Sequence, residues 1–90
     1  MYTIKTTKQF EKDVKQCQKR GLNMDLLKKA IKILETTGTL PSSYKPHKLS
    51  GNYSGFWEAH IKGDWLLLWK VYANELTLIL TNTGSHSDIF

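Results

Sequence analysis

Three histidines, His47, His60 and His86, and two acidic residues near them, Glu58 and Asp64, are the side chains of this 90-residue chain best suited to proton transfer. Imidazole titrates at about pH 6.5, so near neutrality one ring can take a proton while another gives one. Those two transfers are what cleavage of a phosphodiester by its own 2′-hydroxyl requires, and RNA, unlike DNA, carries that nucleophile. Other chemistries lack their residues. The histidines show no HxH or HxxxH spacing for a metal site, and no GxSxG or Walker loop is present. The lone Cys17 can form neither an intramolecular disulfide nor a CxxC pair, which fits a reducing cytoplasm. A single histidine is as often a surface or core residue as a reactive one, so the neighbourhoods matter. His47 lies in a Lys45-Pro46-His47-Lys48 loop, Asp64 follows His60 at a turn, and His86 comes just after Gly84.

The elements that must position these groups can be read from spacing. Residues 2–5 alternate weakly as a short strand. Thr6 or Thr7 can cap a helix over about 7–20, with Phe10, Val14 and Cys17 on one face and Gly21 placed to end it. Asn23 can cap a second helix over about 24–36, whose stripe of Leu26, Leu27, Ala30, Ile31 and Leu34 packs into a core, with Gly38 beyond it. Two helices joined so closely form an antiparallel hairpin. From Gly38 to Gly51, Pro41, Ser42, Ser43, Pro46 and Ser50 predict an irregular loop.

Period-two patterns then run over Tyr53–Ile61, Trp65–Tyr72 and Leu76–Asn82, which predicts a three-stranded antiparallel meander. In the first of these, Trp57, Ala59 and Ile61 share one face while Phe56, Glu58 and His60 share the other. The second is apolar on both faces and belongs in the middle of the sheet. In the tail, Ser85 can cap at most one helical turn. The expected fold is α+β, in the order β-α-α-β-β-β, with an antiparallel sheet carrying the helical hairpin on one face in a single domain, 1–90.

Composition bounds the rest. Thirteen Lys and Arg against eight Asp and Glu give a net charge of +5, with 40% hydrophobic residues. Residues 1–45 carry +6, and residues 46–90, which hold every histidine and tryptophan, carry −1. A positive field of this kind attracts RNA or an acidic protein segment. The chain is too short for a dinucleotide-binding fold, and no apolar run approaches a membrane span.

The segments Tyr44-Lys45-Pro46-His47-Lys48-Leu49-Ser50-Gly51, Glu58-Ala59-His60, Asp64-Trp65 and Thr83-Gly84-Ser85-His86-Ser87-Asp88-Ile89-Phe90 together resemble the YafQ branch of the RelE/ParE toxin superfamily. The likeness covers nearly the whole chain. It implies a ribosome-dependent mRNA endonuclease that uses no metal or other cofactor and is neutralised by a co-expressed antitoxin. By position, His47, His60, Asp64 and His86 match catalytic residues, with His86 the acid, His47 or Asp64 the base, and His60 supporting the phosphate. Glu58 stands where relatives often have aspartate, and Phe90 matches an aromatic that handles substrate. Trp57 and Asn82 replace two arginines of many relatives, and Lys48, Lys62 or Lys70 could supply the positive charge instead, as point charges rather than forks. Two other readings stand beside this one: a ParE-like toxin acting on a protein target, which would not need the histidine set, and a non-catalytic RNA-binding module stacking bases on Trp57, Trp65 or Tyr53.

Overall fold

Each long helix starts at a capping side chain. In the computed structural model, which describes all residues from Met1 to Phe90, helix α1 (Lys8–Lys19) opens at Thr7, whose hydroxyl accepts from the Phe10 N–H at 3.0 Å. Helix α2 (Met24–Thr37) opens at Asn23, whose side chain accepts from the Asp25 N–H at 3.1 Å. Gly38, at φ 79°, closes α2 by donating to the Leu34 carbonyl, a conformation that favours glycine. Phe10 and Cys17 of α1 and Leu27, Ala30 and Leu34 of α2 are buried on the faces turned to the sheet.

The sheet comprises β1 (Thr3–Thr6), β2 (His47–Lys48), β3 (Trp57–Lys62), β4 (Trp65–Tyr72) and β5 (Thr77–Gly84), in the spatial order β1-β5-β4-β3-β2. The antiparallel meander β3-β4-β5 matches expectation. Three features correct the sequence reading. First, β1 runs parallel to β5, from Thr3 opposite Thr77 to Thr6 opposite Leu80, so the sheet is mixed. The helical hairpin and the meander together form the long connection that parallel pairing requires. Second, the loop expected to be irregular contributes β2, in which His47 and Lys48 pair with Glu58 and Trp57. Third, the strand expected from Tyr53 begins only at Trp57, because Gly51–Tyr53 forms a 3₁₀ turn and Gly55 follows at φ 93°.

Strand β4 is the centre of the molecule, with Trp65 to Trp69 all buried. Its alternation places Trp65, Leu67 and Trp69 in the core beneath the helices, with Leu78, Leu80 and Ala59. Leu66 and Leu68 point to the other face. The Trp65 indole N–H donates to the Thr83 hydroxyl at 2.9 Å, and that hydroxyl donates to the Leu66 carbonyl at 2.8 Å. Thr83→Val keeps the shape but orphans both groups, and should cost about 1–3 kcal/mol in urea unfolding. A loss below about 0.5 kcal/mol would show that the indole finds another partner. After β5 comes a single turn, α3 (His86–Ile89), none of whose residues is buried. No helix is long and apolar enough to cross a membrane.

Candidate active site

The sheet face turned away from the helices collects most of the residues with chemistry. Directly opposed residues on neighbouring strands point to the same side, so the register defines two rows across this face. One runs His47, Glu58, Leu68, Asn82; the next, two residues along, runs His60, Leu66, Gly84. The second row ends where Gly84 passes into Ser85 and His86. Buried Leu66 and Leu68 make an apolar floor between the polar ends of the rows.

The first row contains a close histidine–carboxyl contact. His47 Nε2 lies 3.1 Å from Glu58 Oε1, and His47 Nδ1 lies 3.0 Å from the Lys45 carbonyl. Both ring nitrogens thus face oxygen atoms, which fixes the ring's orientation. Glu58 is 7% exposed and pairs directly across the sheet with Leu68. His47 sits here because β2, though only two residues long, fixes it opposite Glu58. The sequence motif named both residues, but their pairing depends on a strand hidden in a proline- and serine-rich loop.

His60 differs. Its Nδ1 lies 2.8 Å from the Gly63 carbonyl in the β3–β4 turn, so Nδ1 carries a hydrogen and Nε2 is the nitrogen left to face substrate. Asp64 is exposed at the same turn and borders a cavity of about 470 Å³ with Arg20, Leu22, Lys62 and Ser85. His60, Asp64 and the start of α3 therefore share the hairpin end of the sheet, whereas His47 is one row back.

His86 is exposed, its ring 4.9 Å from that of Phe90. Phe90 packs edge-on against Tyr53 at 4.8 Å, Tyr53 against Phe56 at 5.7 Å, and the Lys70 ammonium lies 4.5 Å from the Phe56 ring centroid. Lys70 and Phe90 thus border the same face as Glu58. Lys48 does not. One residue beyond His47, it points to the helix side, with Nζ 5.6 Å from the Trp57 ring. The replaced arginine positions fall on opposite faces: Asn82 ends the Glu58 row, while Trp57 stacks on Trp69 at 6.2 Å.

Sequence reasoning missed one pair. Arg20 grips Asp88 of α3 with both terminal guanidinium nitrogens, one contact at 2.9 Å. The Arg20 guanidinium, with help from the Ser85 N–H and hydroxyl, holds the Asp88 carboxyl well below the usual carboxylate range. The visible signal was Ser85-x-x-Asp88, the spacing of a capping box, which forms. Burial pushes the Cys17 thiol up, which keeps it protonated at neutral pH and unsuited to nucleophilic attack. No three His, Cys, Asp or Glu side chains are grouped to hold a metal ion.

The helices lie on one face of a small mixed sheet, and His47, Glu58 and His60 lie on the other. A sequence model described as "Bacterial toxin of type II toxin-antitoxin system, YafQ" matches residues 2–90, and the chain belongs to that family. The mRNA interferase toxin YafQ of Escherichia coli K12 is 38% identical over 88 residues, covering 97% of this chain and 94% of the relative. A metal-bound toxin from Helicobacter pylori superposes with a TM-score of 0.90 at 42% identity over the whole of both chains. YafQ in the Escherichia coli DinJ–YafQ toxin–antitoxin complex superposes at 0.88 with 37% identity, covering 99% and 97% of the two chains.

Proposed function

We propose that this chain is an mRNA interferase that cuts mRNA on the ribosome by acid–base catalysis and is restrained by an antitoxin protein. The observation that carries this reading is the difference between two imidazoles at the hairpin end of the sheet. His60 has its tautomer set by the Gly63 carbonyl, with Nε2 free to accept, while His86 is exposed and free to hold a proton. His60 and Gly84, two residues before His86, lie two strands apart in the same row, about 10 Å between backbones.

In this reading His60, rather than the His47 or Asp64 that the resemblance implies, removes the proton of the 2′-hydroxyl. The 2′-oxygen bonds to phosphorus, the bond from phosphorus to the 5′-oxygen breaks, and His86 gives its proton to that oxygen. His47, anchored by Glu58, faces the negative charge that builds on the phosphorane, and Lys70 adds a cation. Asp64, exposed in the turn four residues after His60, can itself accept the proton. Phe90, supported by Tyr53, offers a ring on which a base of the codon stacks. The basic helical half draws RNA or an acidic antitoxin segment toward the molecule. The antitoxin reading draws on the DinJ–YafQ complex of the relative and on the family's description.

All proton transfers here come from side chains. Toxin stripped of metal with EDTA and then freed of the chelator should therefore cleave mRNA on programmed ribosomes, in their own magnesium buffer, at the rate of untreated protein, and the 5′ product should end in a 2′,3′-cyclic or 3′-phosphate. A 5′-phosphate on the downstream fragment, or stripped toxin that regains activity only when a transition metal is added back, would overturn the mechanism. Arrest of growth with no new mRNA 5′-ends would favour a protein target instead.

A further inference from the structure

We infer that Arg20 is a positioning residue for His86: with Asp88, it fixes the terminal turn over the open face of the sheet. The inference rests on the nuclease reading above only for its effect on rate. Its structural basis is separate.

The tail cannot hold itself. Helix α3 has four residues, none buried, and a helix of that length is far below what is stable on its own. The strand that leads into it is also short of partners. Parallel pairing with β1 stops at Leu80, so the outer edge of β5 beyond that point has no strand beside it. Helix α1 fills the gap with side chains. The Thr7 hydroxyl donates to the Thr81 carbonyl at 3.0 Å, and Asp13 Oδ2 accepts from the Thr83 N–H at 3.1 Å. Gln9 holds Asp13 in turn, donating to its Oδ1 at 2.8 Å.

One and two turns further along the same helix stripe come Cys17, buried against this edge, and Arg20. The planar guanidinium meets the Asp88 carboxylate two-pronged, which defines orientation as well as distance. Asp88 at the same time accepts from the Ser85 N–H at 2.9 Å, closing the capping box that begins the turn. The carboxylate therefore joins α1 to the residue immediately before His86. On the opposite side of the turn, the Tyr53 hydroxyl reaches the Ile89 carbonyl at 3.5 Å and its ring meets Phe90. Of these supports the Arg20 pair alone is charged and directional. Gly84, at φ 149°, lets the chain turn close to it: a Cβ there would lie 3.1 Å from Asp88 Oδ2.

The test compares Arg20→Ala, Arg20→Lys and Asp88→Asn with wild type, and uses His86→Ala as the control for the nuclease reading. In the free protein, heteronuclear ¹⁵N relaxation should show residues 85–90 as mobile in Arg20→Ala and Asp88→Asn, with residues 57–82 unchanged. On programmed ribosomes, both variants should lose about 10- to 100-fold in single-turnover rate at saturation, the cost of a misplaced reacting group. Half-saturation should stay within about threefold of wild type. Arg20→Lys, which keeps the charge but not the fork, should fall between.

A tail as ordered in Arg20→Ala as in wild type overturns the inference. So does a rate unchanged in Arg20→Ala while His86→Ala is inactive. A third contrary result is weakened half-saturation in Arg20→Ala with Asp88→Asn normal, which would mean that the guanidinium binds RNA directly. If His86→Ala cleaves like wild type, the assignment of His86 as the acid fails, and the relaxation data alone decide the role of Arg20 in holding the tail.

Discussion

His86→Ala is expected to slow single-turnover cleavage by about 10²- to 10⁴-fold while leaving the fold intact. The ring is exposed and touches Phe90, so its removal takes little apolar surface out of the core and should shift unfolding by under about 1 kcal/mol. On the reaction side the loss is different in kind. Without an acid, the 5′-oxygen must leave as an unprotonated alkoxide, and the loss of rate corresponds to about 3–5 kcal/mol of barrier. A structural histidine would show the reverse pattern, a lower melting temperature at nearly normal rate. The comparison is single-turnover cleavage beside thermal unfolding for His47→Ala, His60→Ala and His86→Ala. A His86 variant within about threefold of wild type would overturn its assignment as the acid, because that lies well below the range for general acid catalysis.

What the sequence made legible follows from the range over which each signal acts. The two helices were placed to within a residue or two, because Thr7, Asn23 and Gly38 act on their own immediate backbone. The meander was legible for the same reason, since its hairpins pair neighbours. The parallel β1–β5 pairing was not, because it joins segments more than seventy residues apart and a four-residue strand carries no mark of its partner. Strand β2 was hidden among residues that ordinarily break strands, and with it the contact between His47 and Glu58. Lys48 shows how much one residue of register decides. Next to His47 in sequence, it lies on the opposite face of the sheet, against Trp57. The motif supplied the names of the candidate residues, whereas the different settings of His60 and His47 emerged only from what their ring nitrogens face. Arg20 was indistinguishable from the other charges of α1 because its partner is 68 residues away.

The pair in the first row makes the second large prediction. Glu58 is a carboxylate at 7% exposure beside Leu68, and its direct partner is His47, which is itself about half exposed. His47→Ala should therefore do two things at once. It should destabilise the fold by about 1–3 kcal/mol, because a buried charge is left without its donor. It should also slow cleavage by about 10²- to 10³-fold, because a donor facing the phosphorane is lost. Glu58→Gln should separate the effects: the amide still fills the site and meets the ring, so stability should change by less, while the ring loses the charge that holds it. The decisive variant is the double one, His47→Ala with Glu58→Leu. An ion pair replaced by apolar side chains is often neutral for folding, so stability should return to within about 1 kcal/mol of wild type while cleavage stays low. The introduced isobutyl group would extend the floor formed by Leu66 and Leu68. Recovery of stability without recovery of rate would establish that the pair is kept for the reaction rather than for the fold. If the double variant is no more stable than His47→Ala, the cost of His47→Ala does not come from the stranded carboxylate.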